Sequence, residues 1–294
     1  MKYIQKHPII MIVIGVLGIS MSAIFVRYSD APSAVTASYR LIWTVLLMTP
    51  VVFLKSEHRK ELFHIEKKTA LLCYISGIFL AIHFTLWFES LYHTSVASST
   101  SIVCTEVIWV SIGYCLFMKG KLSKKAILAI AVTFLGSILI AFSDSAAGGN
   151  RLFGDVLSLL SAIAVAVYML IGRAARTTVS TTVYTYIVYV ASAVTLVFIV
   201  LFQGYSLTGH GYGAILVGLL LAVFSTILGH STFSWCLKYF SPSFVSASKL
   251  CEPVVAAVLA VFLFQEMPKL LQIAGGLIII GGVLYYSKIE QEEG

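Results

Sequence analysis

The sequence predicts an all-α polytopic membrane protein with ten transmembrane helices arranged as two inverted five-helix repeats. Three observations lead to this fold class. Of 294 residues, 59% are hydrophobic and only 11% are charged, whereas roughly 25% of residues are charged in soluble domains. The apolar residues form runs that are long enough to cross ~30 Å of hydrocarbon as helices. Four landmark residues also recur in the second half of the chain at a nearly constant offset.

The helices are predicted from apolar runs that lie between charged or Gly- and Pro-marked breaks. The first run follows Lys2 and Lys6, and it is long for a signal-peptide core and lacks a good cleavage site, so we expect it to remain as a span. The largest polar segment, "KSEHRKELFHIEKK", separates the second and third spans and is predicted to be a solvated connection. The ten predicted spans are 8–27, 34–54, 69–91, 97–118, 126–143, 153–172, 181–202, 211–237, 243–264 and 269–287.

The distribution of basic residues predicts the orientation. If the N-terminus is cytoplasmic, 15 of the 20 Lys and Arg residues fall in inside segments and 3 fall in outside segments. The positive-inside rule therefore favours a multi-pass protein of a bacterial-type inner membrane with both termini in the cytoplasm. This topology accounts for the net charge of +7 without a nucleic-acid partner. The five cysteines lie in apolar runs without a Cys-x-x-Cys pair, so neither a disulfide framework nor a metal site is predicted.

An internal repeat divides the chain into residues 1–146 and 147–294. Because each repeat holds five spans, an odd number, the second must enter the membrane from the opposite side. Such inverted repeats are common among secondary transporters, whose sites lie near the bilayer midplane between the two copies. The landmarks, which recur 146 or 147 residues later, are His83, Tyr92, Glu106 and Gly136, matched by His230, Tyr239, Glu252 and Gly282.

Glu106 and Glu252 are the strongest candidates for substrate binding or proton coupling. Each lies about ten residues from the end of its span, roughly 14 Å deep, where a charge costs at least ~2.5 kcal/mol. We therefore expect them to face a cavity or each other and to hold a proton or an ammonium group. The structural alternative for Glu252 is a pair with Lys249, its neighbour at i−3. Pro253 lacks an N–H and predicts a kink that serves as a hinge.

Arg40 and two histidines extend the candidate site. Arg40 lies within the second span and is suited to hold a substrate carboxylate through forked hydrogen bonds. Two alternatives remain open, snorkelling to the outer interface and pairing with Glu89. His83 and His230 occupy matched repeat positions, where they either relay protons or form interhelical hydrogen bonds.

Aromatic residues near the predicted cavity level suggest an apolar cage that tolerates a cationic or flat substrate. Packing and interface belts are the alternative for each of them. Lys249 is an alternative contact for a substrate carboxylate. The aromatic candidates are Tyr39, Trp43, Trp87, Trp109 and Tyr168.

Several motifs resemble those of the ten-helix EamA-type carriers of the drug/metabolite transporter superfamily. They are "SYRLIWT", "SVASSTSIVCTEV", "LCEPVVAAVLAVFLFQEMP" and "GGLIIIGGVLYY", and the resemblance covers the whole chain. It implies an inner-membrane carrier that exports metabolites or amino acids, although some relatives import choline-like, sugar or nucleotide-like solutes. The chain departs from the family at Val107, where proline is frequent, and at "MKGKLS", where a glycine–glutamate pair is frequent.

These features predict a secondary transporter of a small amphiphilic metabolite, an amino acid or an amine, zwitterionic or cationic. Three midspan carboxylates against two basic groups favour a substrate of this charge. Alternating access of the two five-helix halves is the expected mechanism, with proton antiport giving export. The alternative is an importer or facilitator of a quaternary ammonium or nucleoside-like solute. A membrane-embedded enzyme would need catalytic residues at a membrane face and longer aqueous loops. The predicted partners are the substrate, the lipid bilayer and protons, without a cofactor, and both a monomer and a homodimer remain open.

Overall fold

The computed structural model describes residues 8–94, 96–143, 151–252, 254–255, 258–259, 262 and 269–293. All regular elements in these residues are helices. In chain order they are α1 Ile9–Ser20, α2 Ser22–Arg27, α3 Ser33–Leu54, α4 Ser56–Phe63, α5 Lys67–His93, α6 Val96–Val103, α7 Glu106–Met118, α8 Lys124–Ser143, α9 Arg151–Ala175, α10 Thr181–Phe202, α11 Gly211–Leu220, the π-helix π1 Leu221–Ser231, α12 Thr232–Cys236, α13 Pro242–Lys249 and α14 Leu270–Glu293.

Several helices are long and apolar enough to cross a membrane, which agrees with the predicted multi-pass fold. Six such segments occur in the described residues, and 106–118 and 273–289 are shorter apolar helices. The count of ten spans and the opposed orientation of the repeats remain predictions. The repeat boundary at 146/147 lies outside the described residues. The six segments are Ile9–Val26, Ser33–Leu54, Lys67–His93, Leu152–Ala175, Thr181–Phe202 and Gly211–Cys236.

The predicted span 97–118 is not one continuous helix. Helix α6 ends at Val103, and α7 begins at Glu106 after a turn at Cys104 and Thr105. The Thr105 N–H bonds to the Ile102 carbonyl, three residues back, so the backbone tightens into a 3₁₀-type turn. Ser and Thr side chains dominate the sequence before this break, and such side chains compete for backbone hydrogen bonds. The run of apolar residues from which the span was predicted continues through this turn and does not indicate it.

A second break lies at the matching place in the other half. Helix α13 ends at Lys249, and the N–H groups of Leu250 and Cys251 bond to carbonyls three residues back. The predicted span 243–264 is therefore interrupted before Glu252, one residue earlier than the kink predicted at Pro253. Pro253 itself lies outside the described residues. Both midspan glutamates thus follow a helix break directly, a location that hydrophobic periodicity alone does not reveal.

The two halves of the chain interlock. Helix α5 packs against α9, α1 packs against π1 and α12, α3 packs against α10, and α8 packs against α14. Gly18 permits the contact of α1 with π1, because a Cβ there would lie 2.7 Å from the Phe224 carbonyl oxygen. Small residues commonly allow such close approach between membrane helices. Since every pair joins one half to the other, the surfaces between them enclose the site described below.

The polar segment between α3 and α5 is also more ordered than the predicted solvated connection. It forms the short helix α4, whose Glu61 carboxylate accepts hydrogen bonds from the backbone N–H and the hydroxyl of Ser180. Ser180 is the N-cap of α10, and its hydroxyl accepts from the Val183 N–H. The carboxylate at the positive end of α10 therefore holds this connection against the second half of the chain.

Candidate substrate site

A cavity of about 40 Å³ lies between the two halves. This volume holds roughly three water molecules and is far below the ~300 Å³ of a typical small-molecule pocket. Seven of the eleven predicted site residues line it. The lining side chains belong to Ile19, Ser22, Arg40, His83, Trp87, Val103, Glu106, Val165, His230, Lys249 and Glu252.

Glu106 and Lys249 form a buried ion pair across the two halves. Lys249 Nζ lies 3.0 Å from Glu106 Oε1, and the two side chains are 9% and 6% exposed. Ser246, one turn before Lys249, donates a hydrogen bond of 2.9 Å to the same oxygen. The sequence interpretation paired Lys249 with Glu252, and the structure corrects it. Proximity along one helix favoured Glu252, but packing of α13 against α7 brings Glu106 closer.

The helix breaks explain why this pair forms where it does. Glu106 is the first residue of α7, and Lys249 is the last residue of α13. A carboxylate is favoured at the N-terminus of a helix and an ammonium at the C-terminus, because of the backbone dipole at each end. The pair therefore compensates both side-chain charges and both helix ends at once.

Arg40 is buried in the cavity wall, with 1% of its surface exposed. Its Nε donates to Thr226 Oγ1 at 2.7 Å and its Nη1 donates to Ser22 Oγ at 3.3 Å. Its Cζ lies 4.0 Å from the centre of the Phe84 ring, a cation–π geometry. The third nitrogen, Nη2, is buried without a hydrogen-bond partner. Neither snorkelling nor a pair with Glu89 describes this arginine.

The two remaining carboxylates differ in their surroundings. Glu252 lines the cavity, and its carboxylate makes no hydrogen bond or ion pair with the residues that the structure describes. Glu89 does not line the cavity: it accepts a hydrogen bond from Ser33 and pairs with His93 at 3.2 Å. The cavity therefore holds two carboxylates and two basic groups, rather than the three carboxylates predicted. Its formal charge is balanced when all four groups are ionised.

The two repeat-related histidines lie side by side. Their ring centroids are 6.3 Å apart. His83 Nδ1 contacts the Ser161 hydroxyl at 2.8 Å, which fixes this ring against α9. His230 lies in π1 and contacts Phe84 edge to face, but its ring makes no hydrogen bond to the described residues. One histidine is thus anchored by a hydrogen bond, whereas its counterpart has none to the described residues.

The aromatic cage is smaller than the sequence predicted. Trp87 lines the cavity and stacks on His83, with centroids 6.2 Å apart and an interplanar angle of 10°. The ring centroids of Tyr168 and His230 are 6.2 Å apart, and Tyr168 therefore lies next to a residue that lines the cavity. Tyr39, Trp43 and Trp109 are not among the residues that line this cavity. Tyr39 bonds to the Leu207 carbonyl and Trp109 bonds to Thr105.

Three hydrogen-bonded tyrosines lie in the halves of α9 and α10 that are nearer the predicted cytoplasmic side. The hydroxyls of Tyr168, Tyr184 and Tyr189 bond to serine hydroxyls at 2.8 to 2.9 Å. Further along α9, Arg173 donates to the carbonyls of Leu237 and Phe240.

Beyond the end of α9, Arg176 donates to carbonyl oxygens of Ser234 and Val179. Burial lowers the pKa of the Arg176 guanidinium from its usual value, but a guanidinium remains charged in proteins. These contacts tie the end of α9 to the backbone around 234–240.

Sequence reasoning missed the side chains that position the charged groups. Ser22 and Thr226 hold Arg40, Ser161 holds His83, and Ser246 holds Glu106. The Phe84 ring packs against the guanidinium of Arg40. Serine, threonine and phenylalanine are common in any membrane helix, so no sequence signal distinguishes these five. Their roles follow from contacts between helices.

The chain matches one protein-family model twice. The model describes the EamA-like transporter family, and it matches residues 7–142 and 152–288. These two matches cover most of the chain. The protein belongs to the EamA-like transporter family.

Named relatives agree with membership of the EamA-like family. The chain is 25% identical over 273 residues to "Uncharacterized transporter YyaM" of Bacillus subtilis (strain 168), covering 90% of this chain and 87% of that protein. It is 22% identical over 280 residues to "Uncharacterized transporter YxxF" of the same organism, covering 95% and 87%. An "Uncharacterized transporter" of Archaeoglobus fulgidus is 21% identical over 222 residues, covering 74% of this chain and 75% of that protein.

A solved structure titled "Crystal structure of protein" has the same fold. The TM-score is 0.81 at 12% identity, and the match covers 98% of this chain and 99% of that one. The structural likeness shows the fold, whereas the family match and the named relatives confirm the predicted resemblance to EamA-type carriers. They indicate a multi-pass membrane transporter rather than an enzyme.

Proposed function

We propose that the protein is a secondary transporter that exports a small zwitterionic metabolite, an amino acid or a related amine, by alternating access of its two repeats. The observation that carries this proposal is the Lys249–Glu106 ion pair. It joins helix ends from the two repeats at matched breaks beside a central cavity. Discontinuous helices with charged ligands at their ends are a recurrent way to build transporter sites at the repeat interface.

The small volume of the cavity supports a mechanism with moving halves. A space of about 40 Å³ admits part of a metabolite but not the whole. Substrate entry therefore requires the two repeats to separate on one side. Because Lys249 and Glu106 come from different repeats, their relative motion would stretch this ion pair and expose its groups to the substrate.

The unpaired charges in the cavity favour a zwitterion. Glu106 neutralises Lys249, whereas Arg40 and Glu252 have no opposite charge within an ion-pair distance in the described residues. A substrate with an anionic and a cationic group would compensate both. The lining residues Ile19, Val103 and Val165 add apolar surface for a small hydrocarbon portion.

Protons are the proposed coupling ion. His230 and Glu252 share the cavity and make no hydrogen bond to described residues, and groups of this kind in membranes commonly carry protons. Exchange of inward-moving protons for substrate would drive export in an energised inner membrane.

The test is transport by purified protein in liposomes loaded with a labelled solute. Separate preparations carry an amino acid, a primary amine, choline, a nucleoside or a sugar, and an imposed pH gradient drives exchange. We expect efflux of amino acids or amines that rises when the outside is acidic. Glu252→Gln should reduce the dependence of the rate on the gradient.

The outcomes separate the possible functions. If only choline or the nucleoside leaves the liposomes, at a rate unaffected by the pH gradient, the protein is a facilitator of that solute and the proposal is wrong. Absence of transport for every solute class, in liposomes where the protein is folded, would contradict it. Glu89→Gln serves as the matched control, since that carboxylate lies outside the cavity.

A further inference from the structure

Two buried hydrogen-bond donors without partners lie in the same cavity wall. They are Arg40 Nη2 and the Trp87 indole Nε1. Both side chains line the cavity, and they are 1% and 6% exposed. Buried donors are nearly always satisfied in folded proteins. Two donors left unsatisfied among the described residues, on side chains that line one cavity, are therefore the groups that a bound ligand atom could complete.

The surrounding contacts place the two side chains on neighbouring parts of the cavity wall. The Arg40 guanidinium lies over Phe84, with 4.0 Å between Cζ and the ring centre. Trp87 follows Phe84 by three residues on α5, and side chains at i and i+3 are neighbours on a helix surface. The Trp87 ring is held in place by stacking on His83, which Ser161 anchors.

We propose that Arg40 Nη2 and Trp87 Nε1 form a carboxylate-binding subsite that restricts the transported solutes to amino acids with a free carboxylate. The usual side-on fork of an arginine uses Nε and one Nη. That fork is unavailable here, because Nε donates to Thr226. The indole N–H takes the place of the second donor, so each carboxylate oxygen receives one hydrogen bond.

Charge balance supports a carboxylate over a neutral acceptor. Lys249, the other cavity cation, already pairs with Glu106 at 3.0 Å, so Arg40 is the cavity cation that has no carboxylate within ion-pair distance among the described residues. Glu252 provides the complementary negative group for an ammonium. This subsite deepens the proposed function and rests on it.

The experiment measures binding of matched ligands to the purified full-length protein by isothermal titration. Alanine, leucine and phenylalanine are each compared as the free acid and as the methyl ester, which keeps the ammonium but removes the carboxylate charge. The proteins are the wild type, Trp87→Phe, Arg40→Lys and Trp109→Phe. Trp109 lies outside the cavity lining and is the control for removal of an indole.

We expect the wild type to bind at least one free acid about tenfold more tightly than its ester, because the ester loses charged hydrogen bonds. Trp87→Phe removes only the indole donor, so it should weaken binding of the acid and leave the ester unchanged. The affinity of the free acid divided by that of its methyl ester should therefore fall by about fivefold. Arg40→Lys should lower the same ratio, and Trp109→Phe should leave it as in the wild type.

Other results would overturn the subsite. If Trp87→Phe keeps the wild-type ratio, the indole N–H does not contact the carboxylate. Equal affinities for acid and ester in the wild type would refute the subsite but leave transport of amines intact. If neither form of any amino acid binds, the proposed function fails together with the subsite. If Arg40→Lys does not fold, the acid-to-ester affinity ratio of Trp87→Phe still tests the subsite.

Discussion

Removing one partner of the buried ion pair between the repeats should strongly destabilise the resting protein. Lys249 Nζ and Glu106 Oε1 are 3.0 Å apart, which corresponds to an attraction of about 5.5 kcal/mol at an effective dielectric constant of about 20. Desolvation offsets most of this gain, so the pair as a whole contributes little relative to apolar residues. Removal of one partner, however, leaves a buried charge without compensation, which costs ~3–5 kcal/mol.

A double-mutant cycle measures this effect. Glu106→Gln and Lys249→Met should each destabilise the protein by about 3 kcal/mol, and the double variant by no more than about 4 kcal/mol. The coupling energy is then at least about 2 kcal/mol. Thermal unfolding of purified protein in detergent is the assay, and each single variant should unfold roughly 6–10 °C below the wild type.

Glu252→Gln provides the matched control, because it changes the repeat-related glutamate on the same segment as Lys249. Its cycle with Lys249→Met should show a coupling below about 1 kcal/mol, as expected for groups without direct contact. The reasoning would be refuted by a larger coupling of Lys249 with Glu252 than with Glu106. That result would restore the pair that sequence spacing suggested.

Two further predictions concern transport and helix packing. Glu106→Gln should lower the initial transport rate in liposomes more than Glu89→Gln, because only Glu106 lines the cavity; equal rates would remove the Glu106 carboxylate from the mechanism. Gly282→Ala should be less stable than Gly281→Ala by ~1–3 kcal/mol, as measured by thermal unfolding. A Cβ on Gly282 would collide with Thr133, whereas a Cβ on Gly281 meets nothing within 4 Å; similar unfolding temperatures would contradict this packing.

Some site residues could be found from the sequence because charge is rare in apolar runs. Glu106, Glu252, Arg40 and Lys249 stand out for this reason, and the cost of an unpaired charge in hydrocarbon predicts that they meet in one cavity. The aromatic candidates were harder to separate. Trp87 lines the cavity and Trp109 does not, but both occur in similar apolar surroundings.

Contacts between helices were beyond the reach of sequence spacing. Lys249 and Glu252 are neighbours along one segment, but Lys249 pairs with Glu106 from the other half. The helix break at Cys104 also escaped prediction, because a hydropathy window does not register a local change from i−4 to i−3 hydrogen bonds. The break at Leu250 and Cys251 lies just before Pro253, where a kink was predicted. These breaks set the directions in which the paired side chains point.

The sequence by itself determined that this protein is a repeated, all-helical membrane protein, since long apolar runs have few other ways to satisfy their backbone in lipid. It also determined which charged residues must be sheltered. Only the tertiary structure decided which of those charges pair directly and which, as Arg40 and Glu252 do, lie outside ion-pair distance of an opposite charge among the described residues. The physical reason is that ion pairing depends on distances of a few ångströms, and packing between helices sets these distances.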